Sequence, residues 1–465
     1  MNVAAHVPVC EANKWHVHKI KGSILKSIFR IDIHEQNTHQ YNTKSIVGMN
    51  VAAHEPVWEA NKWYVHKIAM CNWGDIILEY IKKQLSFLKS ENLYRGDFKN
   101  LCCAQGAKVV IDKREIILFG SNNYLGLSDE PTLKNAAIEA IKMYGTGAGG
   151  SRLTTGSYIL NEKLEEEISK FKGTESSLVY NTGYMANLGI IQALCNKDWV
   201  VFCDKYNHAS IIDGCILSGA KLLRYKHCDM IDLSNKIKEF KGKYNLIITD
   251  GVFSMDGDVA PLSHIVKLAK EHDIITMVDD AHGLGVLGEN GAGTASYFGV
   301  EKEIDIHMGT LSKSIPSIGG YVSGKKHFID YFNNFSRSFI FSTALPPSAI
   351  SVSLKAIEII KNDTYRRKNL LEISKRLKNN LLSSGFSVSN TVTPIISIII
   401  GDTEKTIEFS ESLYEDGIFI PAIRPPTVPK GTSRLRVSLM ATHTLEDIDY
   451  LLDRLKYRGK RLGML

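Results

Sequence analysis

The sequence predicts an α/β fold, in which helices alternate with short apolar strands around a mostly parallel sheet. Two observations support this class. Strands punctuated by glycine alternate with strongly periodic helical segments through the middle of the chain, and the apolar run 274–278 has the composition of a buried parallel strand. With 465 residues, the chain is too long for one small core, so two or three domains are expected.

Composition and charge argue against several classes of function. The chain is 44% hydrophobic and 23% charged, with a net charge of +6, and it has no dense run of lysine and arginine. Nucleic acid binding is therefore not expected. No apolar run approaches the ~18 residues of a membrane span, so membrane association is not expected either. The eight cysteines form no Cys-x-x-Cys pair and are expected to be reduced thiols of a cytoplasmic protein.

The first 70 residues contain a duplicated segment. Residues 1–20 recur as residues 49–68 with three differences, and the dissimilar spacer between them does not suggest a repeat fold. A His-x-His in the first copy is absent from the second, so no metal site is expected. The segment also lacks the apolar core of a signal peptide. We interpret residues 1–70 as a recent duplication, a disordered extension or a start-site artefact, with Met70 as a sensible start.

The rest of the chain is expected to form a helix-and-hairpin segment, a large sheet domain and a smaller α+β domain after the break at Pro346–Pro347. These parts correspond to residues 71–115, 116–345 and 346–465. Apolar residues at helical spacing predict the helices, and short apolar runs predict the strands. The expected helices lie at 76–88, 160–171, 348–361, 364–383 and 403–416, with a last one from 445. The expected strands lie at 109–112, 115–119, 177–180, 199–202, 246–250, 274–278, 318–324, 395–400 and 434–439.

Polar residues follow the carboxyl ends of several predicted strands, which is where open α/β sheets bind ligands. The stretch 181–187 has the pattern of a tight turn that opens a helix, so its free N–H groups and the helix dipole favour an anion such as phosphate. His208, Asp250, Asp279 and His282 follow or end three further strands. These candidates are expected to meet at one edge of the sheet.

Lys313 is the central candidate of this group. It lies in the stretch 309–314, where neighbouring hydroxyl groups are suited to a phosphate, and its amine could form a Schiff base. Asp279 supplies a carboxylate able to face a pyridinium nitrogen. This pairing is what pyridoxal phosphate chemistry requires of a protein. A second pattern, Gly-x-Gly-x-x-Gly at 283–288, neither follows a strand directly nor opens a helix, so a nicotinamide site is not expected.

From residue 73 to its end, the chain resembles the α-oxoamine synthases, which are pyridoxal phosphate enzymes of fold type I that condense an amino acid with an acyl-CoA. The resemblance rests on an ordered set of motifs. They are Ser-Asn-Asn-Tyr-Leu-Gly-Leu at 121, Gly-Ser-Arg-Leu-Thr-Thr-Gly at 150, Asn-His-Ala-Ser at 207, Asp-Gly-Val-Phe-Ser-Met-Asp-Gly-Asp at 250, Val-Asp-Asp-Ala-His-Gly at 278 and Gly-Thr-Leu-Ser-Lys at 309. It implies a large, mostly parallel sheet of the seven-stranded type and a homodimer with the site at its interface.

The resemblance also implies roles for individual residues. Lys313 would hold the cofactor as a Schiff base and later act as general base, Asp279 would pair with the pyridine nitrogen, and His208 would stack on the ring. Further cofactor contacts are implied for Gly183, Tyr184, Ser254, His282, Thr310 and Ser312. Substrate contacts are implied for Arg95, Thr427 and Arg436, with Arg436 binding the carboxylate of the amino acid.

Within the family, residues 422–436 resemble most the branch that condenses L-alanine with pimeloyl-CoA or a pimeloyl carrier protein. The products of that branch are 8-amino-7-oxononanoate, CoA and CO2, in biotin biosynthesis. Residues 315–317 depart from the small residues common in the family, which leaves a sister activity open, such as glycine C-acetyltransferase (2-amino-3-oxobutyrate CoA ligase) or serine palmitoyltransferase. A catalytically inactive partner subunit or a regulator is disfavoured, because Lys313, Asp279 and His208 are all present and residues 1–70 show no basic helix-turn-helix pattern.

We expect residues 1–69 to be dispensable, because the duplicated segment has no counterpart in the family. A chain that begins at Met70 should retain the activity of the full chain, measured as amino-acid-dependent release of thiol from an acyl-CoA. A large loss of activity in the shortened chain would show instead that the extension supports the core or the site.

Overall fold

A computed structural model describes residues 73–96, 98–240 and 242–465. The duplicated segment and the proposed start at Met70 lie outside these residues. The chain divides into two units, residues 1–82 and 83–465, and the sheets, the cavity and the ion pairs described below belong to the second. The domain boundaries expected near residues 116 and 346 stay predictions.

The described strands and helices follow the alternation expected from the sequence. The strands are β1 (Lys108–Ile111), β2 (Arg114–Leu118), β3 (Ser176–Tyr180), β4 (Trp199–Asp204), β5 (Lys221–Tyr225), β6 (Tyr244–Asp250), β7 (Ile275–Asp279), β8 (Ile306–Ser312), β9 (Pro316–Gly324), β10 (Ile395–Gly401), β11 (Ile418–Phe419), β12 (Ala422–Ile423) and β13 (Ser433–Ser438). The helices are α1 (Trp73–Ser90), α2 (Pro131–Tyr144), α3 (Ile159–Lys172), α4 (Gly183–Leu194), α5 (Ala209–Ser218), α6 (Met230–Glu239), α7 (Leu262–His272), α8 (Thr294–Phe298), α9 (Lys326–Phe335), α10 (Arg337–Ile340), α11 (Pro347–Asn362), α12 (Thr364–Ser383), α13 (Thr403–Glu415) and α14 (Leu445–Arg461).

A seven-stranded sheet forms the centre of the fold, in the order β3-β9-β8-β7-β6-β4-β5. The strands from β8 to β5 pair in parallel, whereas β9 and β3 at one edge pair antiparallel. This confirms the predicted large, mostly parallel sheet. The carboxyl ends of β4, β6, β7 and β8 therefore point toward the same edge of the sheet.

The sheet is buried on both faces, which explains why its strands are continuous apolar runs in the sequence. Along β4, Val200 and Phe202 belong to one apolar cluster, and Val201 and Cys203 belong to another. Because successive side chains in a strand point to opposite faces, these two clusters lie on the two sides of the sheet.

The described residues also form two smaller sheets of three strands each. In one, the hairpin of β1 and β2 is extended by β11, which pairs in parallel with β2. In the other, β13 lies between β10 and β12 and pairs antiparallel with both. The second of these sheets places Arg434 opposite Ile423 and Arg436 opposite Ser397.

Strands β5 and β8 were not predicted from the sequence. The edge strand β5 is only partly buried, and its residues Lys-Leu-Leu-Arg-Tyr give only a short apolar run between charges. Strand β8 is buried but contains histidine, glycine and threonine within its seven residues. Pairing with its neighbours, rather than local apolar character, makes each segment a strand.

A buried ion pair lies directly behind the carboxyl end of β7. The amine of Lys172 lies 3.0 Å from Asp280 Oδ2, and both side chains are only 2% exposed. Lys172 also donates to the carbonyl of Ala292, and Asp280 accepts from the backbone N–H and the hydroxyl of Thr294. These bonds tie the end of α3 and the start of α8 to the strand that carries Asp279.

Replacement of Lys172 by methionine should destabilise the protein strongly, because it leaves the Asp280 carboxylate buried without its cation. Removing one partner of a buried pair costs about 3 to 5 kcal/mol. The change should appear as a lower free energy of unfolding in urea titrations. Lys170→Met is the matched control on the same helix, because the pairs of Lys170 with Glu166 and Glu167 are solvent-exposed and should contribute little. Equal effects of the two substitutions would contradict this reading of Lys172.

Candidate active site

A cavity of about 190 Å³ lies at the carboxyl ends of the central strands. Each bordering element contributes polar groups, as expected where loops leave a parallel sheet. The lining residues are Thr182, Gly183, Tyr184, Asn187, His208, Ser210, Asp250, Val252, Ser254, Asp279, Ala281, His282, Met308, Thr310, Ser312 and Lys313. The catalytic and cofactor-contacting residues predicted from the sequence are thus brought together around one space.

Lys313 enters this cavity just after β8 and is bonded to its neighbours through its amine. Its Nζ lies 3.0 Å from Nε2 of His282, and the other ring nitrogen of His282 lies 2.6 Å from the hydroxyl of Tyr124. Burial lowers the pKa of Lys313 to about 8, although the carboxylates of Asp279 and Asp250 act in the opposite direction. Far more of this amine than of an ordinary lysine is therefore uncharged near neutral pH, and the uncharged form is the one required of a nucleophile or a base.

His282 is held as a neutral imidazole. Burial, followed by the charge of Lys313, places the pKa of His282 well below its usual range. One of its ring nitrogens must then donate and the other accept, and the two contacts with Tyr124 and Lys313 satisfy both. Burial also raises the pKa of Tyr124 to about 12, so its hydroxyl keeps its proton.

Asp279 lies at the end of β7 with both carboxylate oxygens bonded. Oδ2 accepts from the side-chain amide of Asn187 at 2.8 Å, and Oδ1 accepts from the backbone N–H of Ala281 at 3.0 Å. The same amide group of Asn187 donates to Ser210 Oγ at 2.8 Å, and that hydroxyl lies 2.7 Å from Nδ1 of His208. A chain of hydrogen bonds therefore fixes the carboxylate and the His208 ring relative to each other.

Asp250 is a second buried carboxyl group in the cavity. Its Oδ1 accepts from the backbone N–H of His208 at 3.3 Å. Burial, and then the nearby charge of Asp279, raises the pKa of Asp250 well above its usual range. The pKa of His208 is lowered mainly by desolvation, with the charge of Asp279 opposing that effect. Burial thus favours the protonated form of Asp250 and the neutral form of His208.

The helix α4 begins at the rim of the cavity and offers a place for an anion. Thr182 caps this helix by accepting from the N–H of Met185 at 3.1 Å. The preceding N–H groups at Gly183 and Tyr184 belong to the first turn, where helix N–H groups lack intrahelical acceptors. A Cβ at Gly183 would lie 3.3 Å from Thr310, so glycine lets the helix start lie close to β8. The hydroxyls of Thr310 and Ser312 lie 2.8 Å apart beside it.

The closeness of these elements also depends on Gly320 in β9. A Cβ at this position would lie 2.6 Å from the carbonyl oxygen of Thr182 and 2.7 Å from the backbone nitrogen of Gly183. Only a residue without a side chain allows the strand to approach the turn before α4 so closely.

Arg436 is buried beside the cavity and is not among the residues that line it. Its guanidinium donates to the carbonyl of Ser254 at 2.6 Å, to Ser438 Oγ at 2.8 Å and to Asn122 Oδ1 at 3.1 Å. A guanidinium has five N–H donors, so these three contacts leave it able to bind a carboxylate.

Arg95 and Thr427 also do not line the cavity in the described part of the chain. They contact each other, since Nη2 of Arg95 donates to Oγ1 of Thr427 at 2.9 Å. The three predicted substrate residues thus lie outside the enclosed space, and two of them form a pair of their own.

Several residues of the site have no role that was predicted from the sequence. Asn187, Ser210 and Tyr124 belong to stretches that carry candidate motifs, yet their spacing gives no sign of which side chains turn toward Lys313. Asp250 was predicted only to lie at the same edge of the sheet. Asn187 is one helical turn beyond Gly183, and this position on the first turns of α4 is the signal that could have identified it.

The residues present fit pyridoxal phosphate. The cavity combines a lysine amine of lowered pKa, an oriented carboxylate on Asp279 and a helix start with hydroxyl groups beside it. A buried oxygen, Oδ1 of Asn187, has no hydrogen-bond partner among the described residues. Lys313, Asp279 and His208 would hold the ring, and Gly183, Tyr184, Thr310 and Ser312 would hold the phosphate.

Comparisons with known proteins agree with this chemistry. The model of the family "aminotransferase class I and II" matches residues 114–455. The chain is 53% identical over 381 residues to a protein of Acetivibrio thermocellus that is provisionally named 8-amino-7-oxononanoate synthase, covering 82% of this chain and 98% of that protein. It is 49% identical over 385 residues to the 8-amino-7-oxononanoate synthase of Lysinibacillus sphaericus, covering 83% and 99%.

A solved structure of serine palmitoyltransferase, with pyridoxal phosphate as an internal aldimine, has the same fold. Its TM-score is 0.79 at 31% identity, covering 83% of this chain and 98% of that one. The predicted resemblance to α-oxoamine synthases and the predicted fold class are confirmed.

Behind the cavity, His227 lies between two carboxylates. Its Nδ1 is 2.9 Å from Asp204 at the end of β4, and its Nε2 is 2.7 Å from Asp258 in the loop after β6. Burial opposes the charged imidazole, but the hydrogen bonds that the ring donates to both carboxylates outweigh this effect and raise the pKa of His227 to about 12. The charged ring thus joins the segment that leads to His208 with the loop that carries Ser254.

This raised pKa predicts a pH dependence of stability. Since the unfolded histidine has a pKa near 6.5, the contribution of His227 is complete below about pH 6.5 and is lost as the pH rises through the folded value. The difference in free energy of unfolding between the native chain and His227→Gln should therefore be smaller at pH 10 than at pH 6. A difference that stayed constant over this range would show that His227 is uncharged in the folded protein.

Proposed function

Because the chain belongs to the aminotransferase class I and II family, we propose that it is a pyridoxal phosphate-dependent acyltransferase of the 8-amino-7-oxononanoate synthase type. It condenses L-alanine with a pimeloyl thioester, either pimeloyl-CoA or a pimeloyl carrier protein, in biotin biosynthesis. The observation that carries the proposal is the amine of Lys313, held at lowered pKa in a cavity with Asp279. The chain is 53% and 49% identical to the two named synthases but 31% identical to the serine palmitoyltransferase. This difference favours alanine and a pimeloyl group as substrates over serine and a palmitoyl group.

Pyridoxal phosphate, when bound, supplies an electron sink for negative charge at the substrate Cα. Asp279 would maintain that sink by holding the proton on the pyridine nitrogen. Its carboxylate is oriented for this task by the hydrogen bonds from Asn187 and Ala281. His208 borders the same space and would pack on the ring, held in place through Ser210.

Lys313 would bind the cofactor covalently and, once its amine is freed, remove the proton from the alanine Cα. A general base works best when its pKa lies near the working pH, and the lowered pKa of Lys313 meets that condition. The neutral His282, 3.0 Å from this amine, can orient it without adding charge.

Arg436 would bind the alanine carboxylate through the N–H groups that its contacts with Ser254, Ser438 and Asn122 leave available. The carboxylate is the group lost as CO2 after the carbon–carbon bond to the acyl group has formed. Arg436 therefore positions the amino acid for the condensation and holds the group that leaves.

A homodimer and a cytoplasmic location belong to the same proposal. Large apolar side chains are exposed close to the motif Gly-Ser-Arg-Leu-Thr-Thr-Gly at 150 in the sequence and near residue 341, as expected of a surface that a second subunit covers. They include Met143 at 75%, Leu153 at 61%, Ile159 at 52% and Phe341 at 73% exposure. Cys195, Cys203 and Cys215 are free, buried thiols, which supports a reducing compartment. Of the described helices, none has the length and apolar character to cross a membrane.

Thiol release tests the function directly. The purified holoenzyme should release thiol from pimeloyl-CoA with L-alanine, and much less with glycine and acetyl-CoA or with serine and palmitoyl-CoA. Preferred turnover of serine with palmitoyl-CoA would favour the serine palmitoyltransferase reading instead. Lys313→Ala should lose both the activity and the visible absorbance of the covalently held cofactor, and a variant that kept this absorbance would contradict the role of the lysine.

A further inference from the structure

Two adjacent cysteines, Cys102 and Cys103, lie at the surface shortly before β1. Both are exposed free thiols, whereas the other described cysteines are buried or half-buried. Neither of the two lines the cavity, and the proposed function gives them no task. They therefore form a pair of accessible soft ligands outside the site described above, and we refer to this pair as the dithiol.

The backbone around the dithiol departs from a regular strand pairing. Leu101 forms an antiparallel bridge with Ile111, and the N–H of Cys102 donates to the carbonyl of Val110 at 2.9 Å. In a regular pair the N–H of Val110 would donate back to the carbonyl of Cys102. It donates instead to Sγ of Cys103 at 3.2 Å. Because sulfur is a weak acceptor, this bond holds the thiol in place only lightly.

The geometry of the dithiol suits a bridging atom better than a direct disulfide. Consecutive Cα atoms are about 3.8 Å apart, which is below the roughly 4.4 Å at which ordinary disulfides begin. A soft atom that bridges two sulfurs needs bonds of about 2.3 Å, which at a tetrahedral angle leave the sulfurs about 3.7 Å apart. The two cysteines lie in a bend and not in a strand, so their side chains are not forced to opposite faces.

Two thiols on neighbouring residues also bind far more tightly than one. Once the first sulfur has bonded to an ion or metalloid, the second bond forms within the same molecule at a high effective concentration. Soft sulfur ligands select soft partners, in contrast to the carboxylate and hydroxyl groups of the cavity. The dithiol is therefore specific for a thiophilic ligand.

Gln105 connects the dithiol with the candidate active site. Its Oε1 accepts from Oγ of Ser121 at 2.8 Å, and its carbonyl accepts from Nδ2 of Asn123 at 3.0 Å. The residue between these two, Asn122, accepts from Nη2 of Arg436 at 3.1 Å. A displacement of the dithiol, only two residues before Gln105, thus reaches a contact that orients the Arg436 guanidinium.

We propose that Cys102 and Cys103 chelate a soft, thiophilic ion or metalloid, and that the chelate weakens the binding of the amino acid at Arg436. With a trivalent arsenical, two S–H bonds and the arsenic–oxygen bond break and two As–S bonds form. The oxygen leaves with both protons as water, and nothing is oxidised or reduced. As Sγ of Cys103 turns toward its neighbour, the N–H of Val110 loses its acceptor and the loop that leads to Gln105 shifts. Chelation is independent of the proposed function, whereas its effect on Arg436 rests on that function.

The chelate is tested with phenylarsine oxide on the full-length holoenzyme, by mass spectrometry. One arsenical per chain should stay bound during washing with excess 2-mercaptoethanol and should be removed by 2,3-dimercaptopropanol. Cys102→Ser and Cys103→Ser should each weaken retention by about 100- to 10,000-fold, because only one As–S bond remains. A serine hydroxyl at position 103 still offers an acceptor to Val110, so this change preserves the local hydrogen bond. The double variant Cys10→Ser/Cys71→Ser is the matched control, because it removes two thiols that are not adjacent, and it should retain the arsenical like the native chain.

The effect on the site is measured as release of CO2 from alanine and pimeloyl-CoA, which avoids a thiol-based assay. The arsenical should raise the KM for alanine by about 5- to 10-fold, the loss expected for one hydrogen bond to a charged group. The KM for pimeloyl-CoA and the visible absorbance of the bound cofactor should not change. In the two serine variants, the arsenical should leave the KM for alanine unaltered.

Each part of the proposal has a result that would overturn it. Equal loss of the arsenical from the native chain and from the serine variants on washing with the monothiol would show that the dithiol does not chelate. A retained arsenical with an unchanged KM for alanine would refute the link to Arg436. If no CO2 were released from alanine even without the arsenical, the proposed function would be wrong, while the mass measurement would still decide whether the dithiol chelates.

Discussion

The placement of a partly buried amine among charged groups is the constraint on which the rest of this structure depends. Lys313 needs a pKa near neutrality, and the protein achieves this by withdrawing it from water while Arg436 adds a further positive charge. The carboxyl groups of Asp279 and Asp250 act in the opposite direction and raise the pKa of Lys313, but their own environments differ. Asp250 is driven toward its protonated form by burial and by Asp279, whereas Asp279 has a hydrogen-bond donor on each of its oxygens.

Hydrogen bonds and ion pairs hold the groups around Lys313 in fixed positions. A neutral His282 separates Lys313 from Tyr124, and Asn187 connects Asp279 with the group that orients His208. The charged His227 and the Lys172–Asp280 pair lie behind the cavity and join strand ends that carry reacting groups. These pairs therefore hold in place the strand ends that carry the reacting groups.

Sequence reasoning recovered the central sheet, its parallel character and the position of Lys313, because each of these has a local signature. Apolar runs reveal strands buried on both faces, and polar residues at their ends reveal the edge where a ligand binds. It missed β5 and β8, which become strands through their neighbours, and it gave no role to Asn187 or Tyr124. The tasks of these side chains depend on distances across the fold, to Asp279 and His282, that no spacing in the sequence records.

Asp279 and Asp280 are consecutive acidic residues whose side chains lie in different environments. One carboxylate borders the cavity and the other is held in an ion pair with Lys172. Because neighbouring residues of an extended chain point to opposite sides, a shift of β7 by a single residue would bring Val278 or Ala281 into one of the two positions and leave either the cavity or Lys172 without its carboxylate. The Lys172–Asp280 ion pair thus helps to fix the register of β7 in the sheet. Over evolution, insertions and deletions should therefore be excluded both from β7 and from the turn after it, because that turn carries Asp280 and His282.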